Sequence, residues 1–311
     1  MDRPQAADGG SLRLGMVGIA TLDFTCLVER FPQEESEGPM LDNAVTAGGL
    51  SGRAALAVAR LGEPVRLLAA CGSDAFATIL KSEIAAGGVD AHWLAYEQPS
   101  QHSVVISSRE AGSRTIIWKR QPMVTADVAG VVEEFVAELD IVLLDSTDPI
   151  LASVTVDACR RRGVTTVLDT GSGRPWTASL LGKIDHVIAS QKFTGKLTPE
   201  RGLAAAEALI DPSANTVFAI TEGTDGGCWV SGRAGAGSGR WRAHQVAAVD
   251  TCGAGDVFHG IYAWGLAQRF TPAEAFEVAS LAAATSTTAL GNQALPTLNE
   301  LSDALPSRWR N

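Results

Sequence analysis

Aromatic side chains are scarce in this chain, at 6% of 311 residues, while glycine is plentiful at 32. That balance suits an α/β protein, which needs many tight turns between strands and helices. Positive charge is short too: 25 Lys and Arg stand against 35 Asp and Glu, a formal net charge of -10. With no basic block, the electrostatic stripe of a nucleic-acid binder is missing, so no nucleic-acid partner is expected. Acidity favours solubility and leaves an anionic substrate open, because local glycine-rich loops and a few basic residues can still bind phosphate. No apolar run approaches the ~20 residues that cross a bilayer. Met1 to Arg13 is polar and lacks the apolar stretch of a signal peptide, so the expectation is a cytoplasmic protein with no membrane partner. The five cysteines, Cys26, Cys71, Cys159, Cys228 and Cys252, are scattered without CxxC spacing, which reads as free thiols in a reducing compartment rather than a zinc site.

What is present is regular alternation. Leu14 to Ala20 reads as a buried first strand, Leu50 to Leu61 as an Ala-rich packed helix, Val65 to Cys71 as a strand and Phe76 to Ala86 as a helix. Strands at 141–144, 164–168, 186–189 and 217–220 alternate with helical stretches, which predicts a mostly parallel sheet with helices on both faces. Two segments break the pattern. Residues 22–47 are turn-rich and read as short strands, and 101–120 reads as an antiparallel hairpin; together they can form a small separate sheet. Residues 225–243 read as a glycine-rich hairpin with its tip at 232–239. Three helices near 254–268, 272–289 and 297–305 close the chain.

The chemistry concentrates in Val249-Asp-Thr-Cys-Gly-Ala-Gly-Asp-Val-Phe-His-Gly260. Gly253, Ala254 and Gly255 open a helix whose N-terminal amides suit a phosphate or a phosphoryl group in flight. Asp256 beside them can take a proton from a hydroxyl. Alone, such a string also fits an ordinary helix start. Further upstream stand Ala47-Gly48-Gly49-Leu50-Ser51-Gly52-Arg53-Ala54-Ala55, then Ala59-Arg60-Leu61-Gly62. Asp23 follows the first strand in Gly18-Ile-Ala-Thr-Leu-Asp23, and Thr221-Glu-Gly223-Thr-Asp-Gly226-Gly227 lies further on, with Gly291-Asn292 after the long Ala/Thr-rich helix.

In that order, these motifs closely resemble the ribokinase-like (PfkB) carbohydrate kinases over nearly the whole chain. The loop at 249–260 also looks like that of the sulfofructose kinases. The resemblance implies one ribokinase-like domain over 1–311, a three-layer α/β/α sandwich with a mainly parallel central sheet and a small β lid from about 22–47 and 101–120. It implies transfer of the ATP γ-phosphate to a hydroxyl, most simply a primary one, of a sugar such as a ketohexose. Asp256 would be the base, with Gly253, Ala254 and Gly255 forming the anion site. Asp23, Gly48 and Gly49 would hold the sugar; Arg53 and Lys119 are candidates for an anionic substituent, with Arg120 and Arg174 nearby. Thr221, Gly223, Gly226 and Asn292 would hold ATP. The family pattern adds Mg2+, a monovalent cation (K+) near Asp250, and a homodimer through the lid. A nucleoside kinase and a non-catalytic nucleotide- or sugar-binding regulator are the alternatives. One departure stands out. Many members carry Asn-x-x-Glu after a mid-chain strand, and here the stretch is Ser190-Gln-Lys-Phe193. No metal ligand is assigned; magnesium would arrive with ATP and be held through water or Asp169. Lys192 reads as exposed, Cys252 as non-nucleophilic, and His259 as packed or exposed rather than catalytic.

Overall fold

The computed structural model describes residues 11–120, 123–233 and 237–309. The chain opens with strands β1 (Leu14–Gly18), β2 (Thr21–Val28) and β3 (Asp42–Gly48), then helix α1 (Leu50–Arg60). Next come β4 (Arg66–Cys71), α2 (Ala75–Ala86), β5 (Asp90–Ala95), β6 (His102–Ser108) and β7 (Ser113–Lys119). After these, α3 (Ala129–Val136), β8 (Ile141–Asp145), α4 (Pro149–Arg162), β9 (Thr165–Asp169), β10 (His186–Ser190), α5 (Gln191–Thr194), α6 (Gly202–Leu209) and β11 (Val217–Thr221) alternate. The hairpin β12 (Gly227–Ser231) and β13 (Ser238–Trp241) precedes α7 (Ala254–Ala267) and α8 (Pro272–Ser286).

Among the described residues, nine strands form one sheet in the order β13-β12-β11-β10-β9-β8-β1-β4-β5, parallel except for β12 and β13. Parallel strands covered on both faces need apolar residues at every position. Strand β8 shows it: Ile141 and Leu143 join one core with α1, α7 and α8, while Val142 and Leu144 join a second with α3, α4 and α6. The chain therefore forms the ribokinase-like α/β sandwich. No helix of the described residues is long and apolar enough to cross a membrane.

Strand order reverses between β1 and β8, and open α/β sheets bind ligands outside the carboxyl ends of the strands at such a reversal. Over that point sits a four-stranded sheet, β3-β2-β6-β7, built from the two segments that broke the sequence alternation. Its strands are antiparallel except for the β2–β6 pair.

The first strand stops at Gly18. The third closing helix is a short 3-10 turn at Asn299–Ala304, and β5 is an edge strand that the sequence reading passed over. Residues 234–236 of the expected hairpin tip lie outside the described residues, as do residues 1–10 of the polar N-terminus.

Helices α1 and α7 cross at small residues. A Cβ on Gly260 would lie 2.6 Å from the Ala54 carbonyl oxygen. The helix that starts at the Gly48-Gly49 motif is thus pressed backbone to backbone on the helix that starts at Gly253.

Candidate active site

Helix α7 begins on Gly253, whose φ of 80 suits glycine, and no side chain caps it. Its first amides are therefore available to an anion. A Cβ on Gly255 would meet nothing within 4 Å, so the chain leaves open space above those amides. Asp256 stands in the same turn, half-buried. Burial, then the neighbouring Asp169 carboxylate, push its pKa up to about 7 against the pull of Arg53 and His259. A carboxylate poised there is matched to general-base work near neutral pH.

The second carboxylate is held in place. Asp169, at the end of β9, accepts from Gly171 N at 2.7 Å and lies 3.3 Å from His259 Nδ1. Burial raises its pKa, and His259 moderates the effect. His259 is buried one turn past Asp256 and faces the Gly255 and Ile188 carbonyls. Of the two readings the sequence left open it is the packed one, and its contact with Asp169 gives it a positioning place that the sequence did not reveal.

The acceptor side centres on Asp23 and Arg53. Asp23 accepts from Thr21 Oγ1 at 2.6 Å and Ser103 Oγ at 2.7 Å through Oδ1, and faces Arg53 Nη2 at 3.2 Å through Oδ2. A carboxylate has about four acceptor positions, and three are already taken. Little of Asp23 is left for two sugar hydroxyls. Arg53 is 2% exposed and its Nη1 donates to the Cys252 carbonyl at 2.6 Å. Burial works against its charge, but Asp23, Cys252, Asp256 and Asp250 more than restore it, so its pKa stands above the usual value. Arg53 thereby joins the two glycine motifs: a Cβ on Gly253 would fall 2.2 Å from Arg53 Nη1. Gly48 lies against Asp23 and Gly49 against the Ile19 carbonyl, at 1.9 and 2.6 Å from a hypothetical Cβ. Burial pushes the Cys252 thiol up to about 12, which leaves it no thiolate for nucleophilic work.

Beyond Gly255 opens a cavity of about 460 Å³. Thr221, Gly223, Gly226, Ala254, Gly255 and Ala284 are among its lining residues. Gly226 has φ 90 and approaches the Trp241 carbonyl so closely that a Cβ would lie 2.2 Å from it. Arg114 of β7 also reaches this cavity and donates to Thr251 Oγ1 at 2.7 Å. Nothing in its local sequence marked Arg114, because the contact spans 137 residues.

Two expected site residues are placed elsewhere. Asn292 does not line the cavity; its side-chain amide donates to the Ala47 carbonyl at 2.6 Å, turned toward the end of β3. The turn at Gly291, φ 57, directs it there. Lys119 lies in the cross-strand row of Ala47, Leu22 and His102. That face packs on α2, where Phe76 contacts His102 and Phe24. Asp23 lies in the next row, with Thr46, Ser103 and Trp118, and adjacent rows point to opposite faces. Trp118, not Lys119, therefore shares the Asp23 face. Phe193, where the family pattern has Glu, is buried against Gly173, and Lys192 is exposed.

An anion-ready helix start with a carboxylate of raised pKa, a cavity along one side and a small sheet over the other define a phosphotransferase-type site. The pfkB family carbohydrate kinase model matches residues 12–298, and the chain belongs to that family. It is a carbohydrate kinase. The chain is 25% identical over 300 residues to the ribokinase of Bacillus subtilis, covering 93% of this chain and 98% of the relative. It is 26% identical over 299 residues to the ribokinase of Haemophilus influenzae, covering 92% and 96%. The crystal structure of ribokinase from Thermotoga maritima superposes with a TM-score of 0.79 at 22% identity, covering 94% of this chain and 99% of that one.

Proposed function

We propose that this kinase transfers the γ-phosphate of ATP to a hydroxyl, most simply a primary one, of a sugar such as a ketohexose, with Asp256 as the base. The observation that carries this reading is the half-buried Asp256, its pKa near 7, in the first turn of an uncapped helix. ATP lies in the cavity lined by Thr221, Gly223 and Gly226, its phosphates directed at the Ala254 and Gly255 amides. Those amides stabilise charge on the transferring group, while Asp256 withdraws the proton from the attacking hydroxyl. Asp23, Arg53 and the Gly48-Gly49 backbone frame the acceptor, and the four-stranded sheet acts as the lid of a single domain.

Magnesium, bound with the nucleotide, would supply positive charge against its phosphates. Among the described residues no group of three or more His, Cys, Asp or Glu forms a cage for it. Asp169, which already accepts from Gly171 N and faces His259, is the residue that would hold the ion, directly or through water. The potassium expectation falls on Asp250, which accepts from Cys252 N and Ser107 Oγ and thereby links the catalytic loop to the small sheet.

ADP release with Mg-ATP, with and without KCl, against ketoses, aldoses, sugar acids and nucleosides tests the reading. Turnover is expected on a sugar and not on nucleosides. Bound ATP with no ADP release on any acceptor overturns it in favour of a binding protein.

A homodimer through the small sheet belongs to the same proposal. Val45, Val104 and Ile117 form an apolar row with Phe24 across that sheet, and Ile117 is 61% exposed. Sedimentation equilibrium at micromolar concentration is expected to give a mass near twice 32.4 kDa; a monomer at all concentrations excludes the dimer.

A further inference from the structure

Two half-buried arginines on the acceptor side have no ion-pair partner among the described residues, and neither takes part in the phosphoryl-transfer chemistry above. Arg120 follows β7 directly. Its guanidinium stacks on Trp118, 4.2 Å from the ring centroid. Trp118 shares a cross-strand row with Ser103 and Asp23, so the stack sits on the face of the small sheet that carries the acceptor site. Arg174 arrives from the other body of the protein, on the loop after β9. That loop is tied down: Arg174 N donates to Thr177 Oγ1 and Trp176 Nε1 to the Ser146 carbonyl, both at 2.8 Å. Gly171 of the same loop backs onto Leu50 at the start of α1, with 3.3 Å between a hypothetical Cβ and Leu50 Cδ2. The Arg174 loop thus lies at the carboxyl ends of β8 and β9, against the helix that the Gly48-Gly49 motif opens.

The like charges are close enough to act on each other. Burial, then Arg174, depress the Arg120 pKa, with only Asp145 opposing. Asp145 is already occupied, accepting from Ile19 N, Ser51 Oγ and Thr147 N. Two partly desolvated cations with no free carboxylate between them are costly unless a ligand supplies the counter-charge. Arginine presents a planar fork of donors matched to phosphate, carboxylate and similar oxyanions. Meanwhile Asp23, the group that would grip a neutral diol, is three-quarters consumed by Thr21, Ser103 and Arg53. We propose that the acceptor is a sugar bearing a terminal anionic group, held between Arg120 and Arg174 with Trp118 flanking the chain of the sugar. This rests on the carbohydrate-kinase reading above and names its substrate class. Because Arg120 rides on the small sheet and Arg174 on the large one, the anion also draws the two sheets together over the acceptor.

The test compares a ketohexose with the same ketohexose carrying a phosphate, a sulfonate or a carboxylate at its terminal carbon. At least one anionic acceptor is expected to exceed the neutral parent in kcat/KM by about 100-fold, the range of two charge-assisted contacts. In Arg120→Gln and Arg174→Gln, KM for that acceptor is expected to rise roughly 10-fold or more with a smaller change in kcat, and the preference over the neutral parent to collapse. Equal use of neutral and anionic sugars, or a preference that survives both substitutions, overturns the anion clamp while leaving the kinase intact. If no sugar is phosphorylated, the kinase reading fails, and calorimetric titration with the same anionic sugars still decides the clamp. Binding lost in both variants supports it; binding absent from the parent protein, or unaffected by the substitutions, refutes it.

Discussion

Asp256→Asn is expected to lower turnover by about 10³-fold or more while making the protein more stable above neutral pH. The first half follows from the proposed general-base role, which is worth roughly 10²- to 10⁴-fold. The second follows from linkage. A carboxyl whose folded pKa is raised to about 7 holds its proton more tightly in the folded state than in the unfolded one. Its contribution to stability is full below the ordinary carboxylate pKa and is lost as pH rises through about 7. The neutral amide escapes that loss. At pH 8 the variant is expected to gain on the order of 4 kcal/mol, a rise in Tm of roughly 6 °C, and the gain should vanish near pH 4. The parent enzyme should show kcat/KM falling about tenfold per pH unit below about 7. Paired melting curves and pH–rate profiles check both halves. A variant that keeps near-parental turnover removes Asp256 as the base, and one that melts lower at pH 8 removes the electrostatic account of its environment.

Arg53→Leu is expected to be the most damaging single substitution to the fold among the site residues. It strips the Asp23 carboxylate of its counter-charge and the Cys252 carbonyl of its donor, both deep in the structure. Removing one partner of a buried pair costs about 3–5 kcal/mol, because the remaining charge stays desolvated. The denaturation midpoint should fall accordingly at unchanged slope. Pairing it with Asp23→Asn should recover part of the loss, since the orphaned charge is then gone. The kinetic signature is separate: Arg53 holds the Asp256 pKa down, so the acid limb of the pH–rate profile should move to higher pH in any folded Arg53 variant. A stability change within about 0.5 kcal/mol would mean that the pair contributes nothing beyond packing.

How much of this was legible beforehand depended on the range of the interaction. The alternating strands and helices announced themselves because the central parallel strands are apolar over most of their length and the helices are periodic over theirs. The glycine motifs were legible for the same reason, since a helix start is a local event. Strand β5 was not, because an edge strand buries little and Asp90 to Ala95 carries no strong apolar run. Lys119 stood among the acceptor candidates because Arg114-Thr-Ile-Ile-Trp-Lys119 has apolar residues at both parities. Only the pairing of Trp118 with Ser103, and of Ser103 with Asp23, fixes which parity faces the acceptor. Asn292 was misplaced because a single left-handed residue at Gly291 decides its direction. The contact between Arg53 and the Cys252 carbonyl spans 199 residues, and no local pattern reports such a meeting.

The crossing of α1 and α7 has a consequence for precision. One helix carries Arg53, which pairs with Asp23, and the other carries Asp256, the proposed base. Where they meet, at Ala54 and Gly260, no side chain separates the backbones. Their separation is thus set by main-chain atoms, which have no rotamers to exchange and almost no room to be compressed. The active site contains a fixed gauge rather than an adjustable joint. A methyl group added at Gly260 would act like a shim, pushing acceptor and base apart by a fraction of an ångström at a distance from either, where near-attack geometry tolerates little error.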